Sequence, residues 1–114
     1  IMSHERHRLR STVDYITSPG HLTGGDHRRS AGLAGGGPAA LITTLAVFDF
    51  EPPTREAVLR SHHPGVTVEQ IREQTGWPLR VASNVRETPP PMAEELQLIR
   101  SLDPHGFWTR AAAG

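Results

Sequence analysis

The stretch LITTLAVFDF, residues 41–50, followed by HPGVTVEQIREQTGWPLRVA, residues 63–82, decides how this chain folds. The first segment is too rich in β-branched and aromatic residues for a comfortable helix. It reads as a strand over residues 40–43 that continues as a second strand over 45–50. Pro52-Pro53 ends it. Residues 56–62 read as the return strand, with Ala57, Leu59 and Ser61 on one face and Val58 and Arg60 on the other. Pro64-Gly65 is a turn pair. Thr67 then has the character of a helix N-cap, and Gln70, three residues on, completes a capping box. Val68 and Ile71 fall on one helical face. Gly76 stands where a left-handed C-cap is expected. Residues 78–82 read as a further strand, with Leu79 and Val81 on one face.

The flanks are less regular. Residues 12–17, around Val13, Tyr15 and Ile16, read as a short buried strand broken by Ser18-Pro19-Gly20. Residues 20–38 form a long loop rich in Gly, His and Arg that ends in Gly35-Gly36-Gly37-Pro38. A loop of that length in a compact domain is usually functional or disordered. Beyond residue 82, Thr88 to Pro91 read as an extended, proline-rich linker. A helix follows over residues 92–102. Met92, Leu96, Ile99 and Leu102 share a face that reads as core packing, while Glu94, Glu95 and Arg100 suit the helix dipole. Asp103-Pro104 terminates it, and residues 107–114 carry no clear pattern. There are no internal repeats.

Composition narrows the function classes. With 114 residues the chain suits one domain with a modest core. Gly and Pro are frequent, at 11 and 10 residues, which fits an α/β domain with long loops better than a helical bundle. There is no cysteine, so disulfides and thiolate metal sites are excluded and a cytoplasmic location is unopposed. No apolar run approaches the roughly 20 residues needed to cross a membrane. Twelve basic residues balance twelve acidic ones, which argues against a broad nucleic-acid footprint. Every one of the basic residues is arginine, whose planar fork suits phosphate and carboxylate.

The constellations that carry chemistry are few. The glycine-rich loop offers backbone amides to an anion or a thioester at close range. It is neither a phosphate-binding P-loop nor a dinucleotide fingerprint, because no Lys-Ser/Thr pair and no helix follows it. Ser18-Pro19-Gly20 follows the expected strand over 12–17, a position where α/β proteins place sites. Ser18 lacks a His and Asp partner pattern and is not read as a nucleophile. The seven histidines include His4-x-x-His7 and His62-His63, but adjacent strand residues face apart, and the histidines read as solvent-exposed, with no metal site. Arg6, Arg8, Arg10 and Arg28-Arg29 fit a solvated face or a subunit contact, or else phosphates.

Four segments, VDYITSPGHL (13–22), GGGPAALITTLAVFDFEP (35–52), HHPGVTVEQIREQTGWPL (62–79) and ETPPPMAEELQLIRSLDP (87–104), occur in an order that resembles the C-terminal part of the β-type subunit of family I CoA-transferases, the glutaconate and 3-oxoadipate type. The resemblance implies an α/β fold: the C-terminal portion of an open α/β domain, strands with two helices and a long Gly-rich loop, with residues 1–114 as one domain. It implies a function in moving CoA between an acyl-CoA and a carboxylic acid, dicarboxylic or 3-oxo. Acyl-CoA is then substrate, and no permanently bound cofactor is needed. The implied partner is an α-type subunit, with the active site between the two, and neither nucleic acid nor membrane is a partner. Ser18, Pro19, Gly20, Gly35, Gly36 and Gly37 are the expected substrate-binding residues. The family works through a nucleophilic glutamate that forms an acyl anhydride and then a glutamyl-CoA thioester. Glu5, Glu51 and Glu56 do not match its glycine-flanked motif, which would lie upstream of Ile1. The chain is thus expected to be a C-terminal fragment, to hold no catalytic residue and to be inactive alone. A related branch that opens rings of steroid-derived CoA esters by hydrolysis resembles this chain as well. A non-catalytic interaction domain that retains the fold is the reading from another class.

Overall fold

A computed structural model describes residues 1–109; residues 110–114 of the patternless tail lie outside the described residues. Four strands form one sheet in the order β1 (Ala40–Ile42), β2 (Ala46–Glu51), β3 (Glu56–His62), β4 (Arg80–Glu87). The first three are antiparallel neighbours, and β4 runs parallel to β3. The helix α2 (Val68–Glu73) makes the crossover that a parallel pair requires. A single-turn helix α1 (His27–Ser30) lies within the glycine-rich loop, and α3 (Ala93–Leu102) follows the sheet. The architecture is mixed α/β, with three helices among the described residues where two are expected.

The core is small. Ala46, Phe48, Leu59 and Ile71 form its buried centre, with Leu41, Val68, Leu79 and Val81 packed around them. Phe48 faces Leu41 on one side and Leu59 on the other in the strand register. Apolar alternation along β2 and β3 and the inward stripe of α2 thus converge on one layer. The capping box of α2 is present. Gln70 N donates to Thr67 Oγ1 (3.2 Å), and Thr67 N donates to Gln70 Oε1 (2.8 Å). Removing the hydroxyl in Thr67→Ala is expected to cost about 1 kcal/mol. Urea unfolding should show a lower midpoint at unchanged slope, and an unaltered midpoint would mean that the cap contributes nothing.

Several expectations need correction. Residues 40–43 and 45–50 are not one continued strand but the two arms of a hairpin. The reversal is built by Thr43, whose Oγ1 accepts from Leu45 N (3.3 Å) and Ala46 N (3.0 Å). A threonine hydroxyl can stabilise such a turn without glycine or proline, which is why no breaker marks it. Residues 12–17 form no strand, and Val13, Tyr15 and Ile16 are exposed. Strand propensity reflects packing on a sheet, and no sheet edge receives this segment. Gly76 is not a left-handed cap. Its amide donates to Leu9 O at 2.7 Å, and a Cβ there would lie 2.4 Å from the same oxygen. Glycine is needed for that close approach. The last strand begins at Arg80 and continues to Glu87, because pairing with β3 resumes beyond an irregularity at Ser61↔Arg86.

Two further corrections concern burial. The apolar face of α3 is not core packing: Met92, Ile99 and Leu102 are exposed, as are Leu98, Phe107 and Trp108 beside them. His4, expected in solvent, is buried between the sheet and the end of α2. It belongs to an N-terminal arm that pairs Met2 with Thr43 and Arg10 with Gly76. Arg6 secures that arm by donating to Glu73 O (3.0 Å) and Thr75 O (3.2 Å), carbonyls that the end of α2 leaves open. No helix among the described residues is long and apolar enough to cross a membrane.

Candidate functional site

The loop before β1 is ordered by one side chain. Arg28, on α1, donates from Nη1 to Gly20 O (2.8 Å), from Nη2 to Ala34 O (2.5 Å) and from Nε to Gly35 O (3.1 Å). A guanidinium carries its donors in a rigid fork, so three carbonyls are fixed at once. The clamp brings the two glycine segments together across fifteen residues of sequence, Gly20 to Gly35. Ser18, Pro19, Gly20, Gly35, Gly36 and Gly37 line one shallow groove of about 620 Å³, with Arg28 and Pro38. All six expected site residues therefore share a surface.

The loop is also tied to the sheet. His21 Nε2 donates to Pro38 O (2.9 Å), and its ring lies against Phe50 with centroids 5.0 Å apart. Gly37 has φ +81° and passes so close that a Cβ would lie 2.7 Å from His21 Cε1. Gly25 N donates to Thr54 O (3.0 Å) in the turn between β2 and β3. The loop is thus a packed element with its own tether points, not a slack connection.

Its polarity is one-sided. Arg28 and His21 occupy the carbonyls of Gly20, Ala34, Gly35 and Pro38. Among the described residues the amides of Gly35, Gly36 and Gly37 donate to no acceptor. Unused amides beside a cation attract carbonyl oxygens and anions. Ser18 is exposed and, among the described residues, has no histidine or carboxylate partner. The groove can therefore bind and orient an acyl or anionic group, but it holds no nucleophile or base in place to react with one.

His4 and His63 serve structure. His4 is buried, and His63 is half-buried, its Nε2 3.0 Å from Thr43 O and its Nδ1 3.1 Å from Thr88 Oγ1. Among the described residues no group of three or more His, Asp or Glu could hold a metal ion. Sequence reasoning missed the part of Arg28 as a clamp; the signal was the pair Arg28-Arg29 inside a glycine-rich loop. It also missed two adjoining hollows of about 360 and 720 Å³ that share Trp77, Pro78 and Arg80.

Residues 1–74 match the model of the coenzyme A transferase family. The chain is 48% identical over 89 residues to the β-type subunit of the 3-oxoadipate CoA-transferase of Pseudomonas knackmussii, a match that covers 78% of this chain and 34% of that protein. It is 37% identical over 71 residues to the cholesterol ring-cleaving hydrolase IpdB subunit of Rhodococcus jostii, covering 61% and 28% of the two. The crystal structure of glutaconate coenzyme A-transferase from Acidaminococcus fermentans superposes with a TM-score of 0.84 at 30% identity, over 97% of this chain and 44% of that one. The chain spans about a third of the length of the curated 3-oxoadipate relative.

Proposed function

The chain belongs to the coenzyme A transferase family, and from that premise we propose that it is the C-terminal part of a β-type subunit that moves CoA between an acyl-CoA and a dicarboxylic or 3-oxo acid. The observation that carries the reading is the 48% identity to the β-type subunit of a 3-oxoadipate CoA-transferase. In this reading residues 1–114 are one domain, acyl-CoA is substrate, and an α-type subunit is the partner. The exposed apolar residues of α3 and of Phe107 and Trp108 offer that partner a surface that would otherwise face water. A cytoplasmic location belongs to the same proposal.

No residue of this chain takes the nucleophile's part. The Ser18–Gly20 and Gly35–Gly37 segments border the acyl-CoA cleft and hold the thioester through backbone amides. The second reading, hydrolysis of a CoA ester, rests on the likeness to the IpdB subunit. Incubating the complete β-type subunit that carries these residues, together with its α-type partner, with acyl-CoA, with and without an acceptor acid, separates the two. Acid-dependent exchange supports transfer. Consumption that ignores the acid supports hydrolysis, and no turnover at all overturns both.

Gly36→Val tests the groove. A Cβ at Gly36 meets nothing within 4 Å, and its backbone is outside the left-handed region, so folding and assembly should be spared. A β-branched side chain there would still block close approach to the free amides. The expected result is a fall of about 10-fold in kcat/KM, near 1.4 kcal/mol of lost transition-state binding. Full activity in a correctly assembled variant would reduce the loop to a connection.

A further inference from the structure

Sharing Arg28, Gly35 and Gly36 with the acyl groove is a second hollow, of about 420 Å³, between α1, the Gly35-Gly36 backbone and the turn that joins β2 to β3. Its charge is unbalanced. Asp26 is the acidic group in its wall, and Arg29 Nη2 already holds it at 2.7 Å. Arg28 and Arg55 also line the hollow, and among the described residues neither meets a carboxylate.

We propose that this hollow is a binding site for a phosphate-bearing anion, held by Arg28, Arg55 and the free amides of Gly35 and Gly36. Three features point to that ligand class. Arg28 spends three donors on loop carbonyls, and a guanidinium has five. The remaining two sit on an immobilised fork, so binding an oxyanion costs little side-chain entropy. The glycines with free amides and the two guanidinium groups that meet no carboxylate also line the same hollow, which suits a ligand with several acceptor oxygens.

Arg55 supplies the third feature. It is one of two non-glycine residues with positive φ among the described residues, at 62°, and its amide is held by Glu51 O at 2.7 Å. A long side chain in that conformation is uncommon, and asparagine or glycine would suit the turn better. Its Nη1 reaches Phe50 O only at 3.5 Å, a weak bond that leaves the guanidinium free to serve the hollow. Retaining arginine where the turn favours asparagine is accounted for if the charge is used.

This inference deepens the function proposed above, since it assigns the hollow to the phosphates of the CoA thioester. The same chemistry would also take inorganic phosphate. Gly36 borders both the hollow and the acyl groove, so one ligand could reach from phosphate to thioester.

The test compares Arg55→Asn with the parent protein, since asparagine tolerates the positive φ and removes the charge. Binding of adenosine 3′,5′-bisphosphate and of inorganic phosphate is measured by calorimetry, with thermal unfolding as the control for folding. The expected result is binding of the bisphosphate that weakens about 10-fold in Arg55→Asn at unchanged melting temperature. In the complete β-type subunit assembled with its α-type partner, KM should rise about 10-fold for acyl-CoA and stay constant for the matching acyl-pantetheine, which lacks the nucleotide phosphates. Equal binding by both proteins overturns the site. Weakened binding of both probes without any CoA-ester turnover upholds the anion site while the proposed function falls. Turnover with KM unchanged by the variant upholds that function and overturns the site.

Discussion

Phe48→Ala is expected to destabilise the fold by about 3–5 kcal/mol, the usual cost of emptying a buried aromatic site. Phe48 is 1% exposed at the middle of β2, with Leu41 and Leu59 as its cross-strand partners. Among the described residues it shares the buried centre with Ala46, Leu59 and Ile71, which Leu41, Val68, Leu79 and Val81 pack around. His4 also loses the ring it stacks on, at 5.7 Å between centroids. A domain of this size has on the order of 5–15 kcal/mol in total, so the variant would stand close to the unfolding threshold. Phe48→Leu should recover most of the loss. Denaturant melts of the three proteins decide the matter. A change below about 1 kcal/mol in Phe48→Ala would mean that Phe48 is not central to the core.

What the sequence made legible follows from how local each signal is. The capping box at Thr67 and Gln70 and the turn at Pro64-Gly65 involve neighbours within three residues, and both stand where the pattern put them. Alternation in residues 56–62 identified β3 to the residue. Signals that depend on distant partners failed. Residues 12–17 have the composition of a strand, yet nothing in the composition says that no edge awaits them. Gly76 was read through the local rule for helix ends, while its true constraint is the backbone of Leu9, far away in sequence. The candidate site behaves in the same way. Its glycines were visible, but that Ser18–Gly20 and Gly35–Gly37 share one groove depends on three long-range bonds from Arg28. The apolar stripe of α3 was read correctly as a stripe and wrongly as core, because periodicity reports a face and not what covers it.

His4→Ala is expected to cost about 2–4 kcal/mol, from two lost hydrogen bonds and the cavity left behind. His4 is 4% exposed, with Nδ1 3.0 Å from Thr43 Oγ1 and Nε2 3.1 Å from Thr75 Oγ1. Thr75 Oγ1 donates to Ile71 O (2.7 Å), so it must accept from His4, which places the imidazole proton on Nε2. The Thr43 hydroxyl lies 3.0 Å from Nδ1 and 3.1 Å from Ala46 O and has one proton, so beside this tautomer it donates to Nδ1, while Ala46 O keeps its bond from Thr43 N (2.9 Å). A neutral ring satisfies every partner. Burial accordingly pushes the His4 pKa below its ordinary 6.5, against a smaller opposing contribution from the Ile71 backbone. A depressed histidine pKa means that the unfolded chain binds the proton first as pH falls. Stability from this site is therefore full above 6.5 and is lost as pH drops from 6.5 through the lower folded value. His4→Gln keeps a hydrogen-bonding side chain and cannot titrate. Its melting temperature should fall less than the parent's between pH 7.5 and 5.5, the difference between the two profiles isolating His4 from the other histidines. Parallel profiles would show that His4 protonates as readily in the folded arm as in the open chain, and that its burial does not govern the docking of residues 1–10 onto the sheet.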